Sequence, residues 1–186
     1  GPYQLVLFHT KVAHELSHSP YNKRRASVER AWELLKHLKP KDSVVEALPF
    51  LPMEVLEQHR DKLSETDYPL ARFTLDEQLR VENAIIAIKA KDYSALGALL
   101  NQSHHGLSKQ YQVSCPELDF MAHWSQRQTG VLGARMMGGG FGGCTLNLIH
   151  KNELSLWSNE ALNIYQKKFG IQGEVYPVRL AKGILG

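Results

Sequence analysis

The chain has 186 residues, 43% hydrophobic and 22% charged, with a formal net charge of +3. These values describe one globular domain that can bury about 70% of its unfolded surface, and they exclude a disordered or fibrous chain. Apart from Lys23-Arg24-Arg25 the basic residues are scattered and no apolar run reaches membrane-spanning length, which argues against nucleic acid and membrane partners.

In chain order, Tyr3–His9 (YQLVLFH) predicts a buried strand. It begins almost at the first residue, and Gly1-Pro2 has the form of a protease-cleavage scar, so a trimmed, longer protein is expected. Ser19 as N-cap and Pro20 as first helical residue predict a helix that carries Val28, Trp32 and Leu35, with Ala31, Leu34 and Leu38 alongside, and ends at Pro40. Short helices punctuated by proline are expected over 43–60. A longer helix is predicted from Thr74, where Thr74 and Glu77 suit a capping box. Leu75, Leu79 and Ile86, with Val81, Ile85 and Ile88 adjacent, give it a wide apolar face. Asp92 suits the cap of the next helix, which carries Leu96, Leu99, Leu100 and Leu107. Ser114 and Glu117 suit a second capping box ahead of Leu118, Met121 and Ala122.

Two strands follow, Val131–Met137 and Cys144–His150, separated by a glycine-rich stretch. A helix with Leu154, Trp157, Ala161 and Ile164 on one face comes next, with Lys167 and Lys168 in its last turn and Gly170 as C-cap. Residues 174–180 (EVYPVRL) predict a closing strand, placed at a sheet edge because Pro177 has no N–H to donate. Four strands and about six helices, with strands at both chain ends, predict an α+β fold: a four-stranded antiparallel sheet with helices packed on it.

The most unusual stretch is 138–143: Gly138, Gly139, Gly140, Gly142 and Gly143 surround Phe141. Inside regular structure each glycine costs about 0.5–1 kcal/mol relative to alanine, so such a run points to positive φ or to a close approach to the backbone. Gly138, Gly140 and Gly143 fit G-x-G-x-x-G, but that fingerprint needs a helix after it. Here the following residues alternate like a strand, which rejects a dinucleotide site, and no Gly-Lys-Ser/Thr follows to make a P-loop. Two readings stay open: successive backbone N–H groups forming an anion-binding concavity, or a tight hairpin or close chain crossing.

Tyr21 sits in the first turn of the helix opened by Ser19-Pro20. One reading has it offering a ring face and a hydroxyl to a sugar at a helix N-terminus. The other has the ring packed and Arg24 and Arg25 solvated. His14 and His18 are four apart, and His104 and His105 point in divergent directions on a helix, so no metal set is expected. Two readings of Cys115 are also open: a thiol with lowered pKa at a helix start or a buried structural thiol. Two distant cysteines make no disulfide framework and fit a reducing, cytoplasmic setting. No Ser/His/Asp or Cys/His set is present, and no catalytic residue is assigned in this chain.

Four segments in register resemble the C-terminal half of the galactokinase family, within the GHMP sugar-kinase superfamily. GARMMGGGFGGCT (133–145) resembles the superfamily's third motif, and YQVSCPELD (111–119) the segment that precedes it. TKVAHELSHSPYNKRR (10–25) resembles the stretch ending in a sugar-contacting tyrosine, and Ala71-Arg72 with Glu77 and Arg80 is similar to a further segment. The resemblance implies a GHMP-kinase C-terminal domain over 1–186, with the N-terminal half, its catalytic aspartate and arginine and its magnesium ligands absent. It implies Tyr21 as the residue touching galactose and Gly138, Gly139, Gly140, Phe141, Gly142 and Gly143 as the loop at the phosphate end. The full protein would use Mg-ATP to phosphorylate galactose at C1, and this half alone would be inactive. A kinase for a related sugar such as N-acetylgalactosamine, a non-catalytic sugar- and ATP-responsive regulator, and a degraded or split paralogue that keeps only the fold are the alternatives. Met137 replaces a usual threonine, Pro20 a glutamate and Phe73 a histidine, and Ser27-Val28-Glu29 lacks a cysteine often found there.

Overall fold

A computed structural model describes residues 1–12, 20–39 and 44–179. The strands are β1 (Tyr3–His9), β2 (Val131–Met137), β3 (Cys144–His150) and β4 (Glu174–Pro177). They form one sheet in the order β2-β3-β1-β4, and the three pairings are all antiparallel. β4 is an edge, as Pro177 requires. It is shorter than expected: beyond Pro177 one further bond, from the Val178 N–H to the Leu5 carbonyl at 2.9 Å, extends the pairing, and Leu180 lies outside the described residues.

Period-two alternation sets the sheet's core face. Val6 and Phe8 of β1 and Ile149 of β3 point to one side, where Met121 and Trp157, Ala161 and Tyr165 cover them. Those covering residues come from α5 (Pro116–Ser125) and α6 (Leu154–Phe169), which Gly170 closes in the left-handed conformation. The Tyr165 hydroxyl donates to the Thr10 carbonyl at 2.8 Å, tying α6 to the end of β1.

A second core is helical. Ala31 and Leu35 of α1 (Pro20–Leu35), Val55 and Leu56 of α2 (Met53–Gln58) and Ala71 and Leu75 of α3 (Asp67–Ala90) meet Leu48, Leu51 and Leu63. Pro20 opens α1 as expected; its proposed cap Ser19, and Pro40, lie outside the described residues. The helix stops at Leu35, before Pro40, and residues 36–38 form a turn.

α3 corrects the expected start at Thr74. It begins seven residues earlier, with the Asp67 N–H donating to Ser64 Oγ at 3.0 Å. Pro69 is tolerated in this first turn because its missing N–H would have no intrahelical partner. Thr74 is therefore interior, and its hydroxyl donates back to the Leu70 carbonyl at 2.8 Å; Glu77 binds three other side chains, described below. The expected apolar face is also corrected. Leu75 is buried, but Leu79, Val81, Ile85, Ile86 and Ile88 are 47–63% exposed.

α4 (Tyr93–His105) starts as expected, with the Asp92 carboxylate accepting from the Ala95 N–H at 2.9 Å. It crosses β2 at paired glycines. A Cβ on Gly97 would stand 2.4 Å from the Leu132 carbonyl oxygen, and one on Gly133 would stand 2.2 Å from that of Gly97. A π-helical turn (Gly106–Gln110) follows α4. The capping box at Ser114 and Glu117 is not made: Cys115 takes the cap position, Pro116 is the first helical residue, and the Ser114 hydroxyl is buried without a partner among the described residues. Proline at the first helical position fixes the start by itself.

Candidate functional site

The glycine loop joins β2 to β3, two paired strands, as its sequence context requires. Its backbone is mostly left-handed: φ is +88° at Gly138, Gly140 and Gly143, +142° at Gly142 and +57° at Phe141. Two glycines are explained by chain crossings. A Cβ on Gly140 would lie 1.9 Å from the Val113 carbonyl oxygen, and one on Gly142 would lie 2.3 Å from that of Val12. The loop is stitched at both places. Phe141 N–H donates to the Val113 carbonyl at 2.8 Å and Gly143 N–H to the Val12 carbonyl at 3.0 Å; the Gly143 carbonyl accepts from both the N–H and the hydroxyl of Thr10 at 2.8 Å.

Those bonds narrow the anion-binding reading. The N–H groups of Phe141 and Gly143 serve the chain itself, so a concavity using the whole run is ruled out. At Gly138, Gly139 and Gly143 nothing lies within 4 Å of where a Cβ would stand, and Gly138 and Gly139 are exposed. The crossing glycines thus serve the fold, while the run's opening residues present bare main chain outward.

Tyr21 comes to the same place. Its half-buried ring packs with Phe141, Tyr111 and Leu107 against a small core of Val113, Cys115, Leu118 and Met136. One apolar cluster therefore carries both the helix tip and the loop. Burial first, and then the neighbouring Tyr21 phenol, raise the Tyr111 pKa, while Arg24 opposes them. Arg24 itself is half-buried and donates to Gln112 Oε1 at 3.2 Å; burial lowers its pKa. The solvated reading holds for Arg25, which is exposed and pairs with Glu29 at 2.8 Å, but not for Arg24. Phe73 is buried and stacked on Tyr111, with ring centroids 4.9 Å apart, and the Arg80 guanidinium lies over the Phe73 ring, 5.6 Å from its centroid.

Cys115 is a buried thiol, and burial pushes its pKa up to about 11, which overturns the activated reading. His104 and His105 do diverge: His104 is buried and His105 exposed. His14 and His18 lie outside the described residues. Among the described residues no three His, Cys, Asp or Glu side chains converge on a metal position.

Sequence reasoning missed a charged cluster behind the loop. Glu77 accepts from Arg80 Nε at 2.6 Å, from Arg135 at 3.3 Å and from the Ser103 hydroxyl. Burial lowers the Arg135 pKa, and Glu77 partly offsets this. The available signal was Arg135 itself, a charge in the middle of an otherwise apolar strand.

Residues 84–156 match the family described as GHMP kinases C terminal. Galactokinase from Staphylococcus carnosus is 36% identical over 186 residues, covering 99% of this chain and 47% of the relative. Galactokinase from Thermotoga maritima is 36% identical over 182 residues, covering 98% and 49%. The solved Lactococcus lactis galactokinase complexed with galactose superposes with a TM-score of 0.88 at 31% identity, over 98% of this chain and 46% of that one. The match to the C-terminal domain of the GHMP kinases thus lies within residues 84–156, while the similarity to galactokinases runs along almost the whole chain. L. major mevalonate kinase, solved in complex with R-mevalonate, shares the fold at 20% identity and a TM-score of 0.55, over 94% of this chain and 41% of that one. The chain spans about half the length of the curated relatives it matches. No helix among its described residues is long and apolar enough to cross a membrane.

Proposed function

We propose that the full-length protein transfers the γ-phosphoryl group of ATP to the C1 hydroxyl of galactose, and that residues 1–186 form the C-terminal domain of that enzyme. The observation that carries this reading is the close superposition, over 98% of the chain, on a galactokinase solved with galactose. The convergence of Tyr21 and the glycine loop on one cluster supports it.

Phosphoryl transfer depends on positioning and charge stabilisation rather than on covalent chemistry by the protein. In this reading Tyr21 orients the sugar with its hydroxyl, and the main chain at Gly138 and Gly139 closes the phosphate end. A loop held from behind by the Val12 and Val113 carbonyls keeps its place without rearranging, which is the property a positioning wall needs. In this reading magnesium coordination and the catalytic charges fall to the N-terminal half of the full-length protein. Two free thiols accord with a cytoplasmic setting.

The test is product formation by the full-length protein with ATP and a panel of sugars. Galactose 1-phosphate is the expected product. Preference for N-acetylgalactosamine would move the assignment to a related sugar kinase, and binding of galactose and ATP without turnover would make the protein a regulator.

A further inference from the structure

β2 is an edge strand, so every second residue turns its N–H and C=O away from the sheet. Both outward groups of Ala134 and of Met136, and the carbonyl of Leu132, meet side chains instead. Asn101 of α4 accepts from the Ala134 N–H at 2.9 Å and donates to the Leu132 carbonyl at 3.4 Å. Gln126 donates to the Ala134 carbonyl at 2.9 Å. At Met136 the N–H donates to His104 Nδ1 at 3.2 Å, and the carbonyl accepts from Arg135 Nε at 2.9 Å. Gly97, Asn101 and His104 stand at i, i+4 and i+7, one stripe of α4 laid along the strand. The helix replaces a missing neighbouring strand with side chains.

The last rung lies next to the loop. Met136 is fully buried in the cluster that holds Tyr21 and Phe141, and Gly138 is two residues on. An acceptor at Nδ1 obliges the imidazole to be neutral with its proton on Nε2. Nε2 lies 3.5 Å from Asp119 Oδ1 with no hydrogen bond between them, both atoms being buried without a hydrogen-bond partner among the described residues, and Asp119 Oδ2 accepts from the Ser108 hydroxyl at 2.9 Å. We propose that His104 is a positioning residue: its neutral ring, accepting from the Met136 N–H and lying beside the Asp119 carboxylate, sets the point at which the chain leaves β2 for the glycine loop, and through it the loop's placement at the phosphate end of the site. Burial, reinforced by His123, Arg135 and His105 and opposed by Asp119, lowers the His104 pKa to about 4, in keeping with a neutral ring.

The link to phosphate placement rests on the kinase reading, so the test has one arm that does not. In full-length wild-type protein, nitrogen NMR of the histidines at pH 7 is expected to show His104 as the neutral Nε2–H tautomer; an Nδ1–H tautomer or an imidazolium would overturn the proposal. In the kinetic arm, His104→Leu is expected to raise KM for ATP about tenfold or more while KM for galactose stays within about twofold. His104→Asn, whose Oδ1 restores an acceptor for Met136 N–H, is expected to recover most of the loss. A parallel rise in both KM values, or no recovery by asparagine, would contradict a positioning role. If His104→Leu does not fold, hydrogen exchange decides. The Met136 amide is expected to be protected in wild type and His104→Asn, and free exchange in wild type overturns the idea. Absence of turnover by the wild type would remove the kinase reading and leave the tautomer and exchange results to judge the rest.

Discussion

The glycines of the loop separate by what surrounds them. Gly140 combines φ of +88° with a carbonyl oxygen 1.9 Å from its absent Cβ. Alanine there meets a strained backbone and a rigid neighbour, so Gly140→Ala should lose about 2–4 kcal/mol in a denaturant titration. Gly139 is not among the positive-φ residues and has open space around it. Gly139→Ala should therefore leave the unfolding midpoint almost unchanged. His104 gives a pH prediction at the same scale. Its pKa is depressed from 6.5 to about 4 in the folded chain, so between those values the unfolded chain binds a proton that the folded one refuses. Stability from this group is present above pH 6.5 and lost as pH falls toward 4, by about 2 kcal/mol between pH 7 and pH 5. Urea titrations at the two pH values should show that loss in wild type and a smaller one in His104→Asn.

At the level of elements, α3 holds its place through small and sheltered residues. Ala71, Phe73, Leu75 and Ala87 are buried, and Asp67 at its start pairs with Arg30 of α1 at 2.6 Å. Burial alone would raise the Asp67 pKa, but hydrogen bonds from Arg30, Ser27 and Ser64 outweigh it and lower the value. Leu79, Val81, Ile85, Ile86 and Ile88 of the same helix are outside. Ile86 is 63% exposed, so Ile86→Glu should raise solubility, measured by light scattering of the 186-residue chain, with the unfolding midpoint within about 0.5 kcal/mol of wild type. This helix also shows where sequence reading stops. Tyr3–His9, the strands around the glycine loop and the Asp92 cap were legible because period-two alternation and a single side-chain bond are local properties. The start of α3 was not, because Pro69 in a first turn looks like a breaker and Thr74-x-x-Glu77 looks like a cap. Glu77 was committed elsewhere, to Arg80, Arg135 and Ser103, and which partner wins is decided by tertiary contacts. The apolar stripe misled for a related reason: periodicity says which residues share a face and cannot say that the face is covered. In the candidate site, the loop and Tyr21 could be named from sequence, but the side-chain ladder from α4 to β2 could not, since Asn101 and Gln126 carry no local signature.

For the molecule as a whole, an antiparallel sheet covered on one face by α5 and α6, with α4 along one edge, brings the α1 tip, the 111–115 segment and the glycine loop to one end of the fold. In the proposed reading the catalytic charges of phosphoryl transfer belong to the N-terminal half. The 186-residue chain alone is accordingly expected to fold, with a cooperative melt, and to show no galactose-dependent consumption of ATP; turnover by this chain alone would overturn the division of labour proposed here. In the proposed enzyme the outward main chain at Gly138 and Gly139 serves a bound substrate rather than the fold. The rate of galactose 1-phosphate formation by the full-length protein and by its Gly139→Ala variant tests this. The expected result is a wild type that turns over and a variant slowed about tenfold or more at an unchanged melting temperature. A wild type that does not phosphorylate galactose, or a variant as fast as wild type, would contradict it.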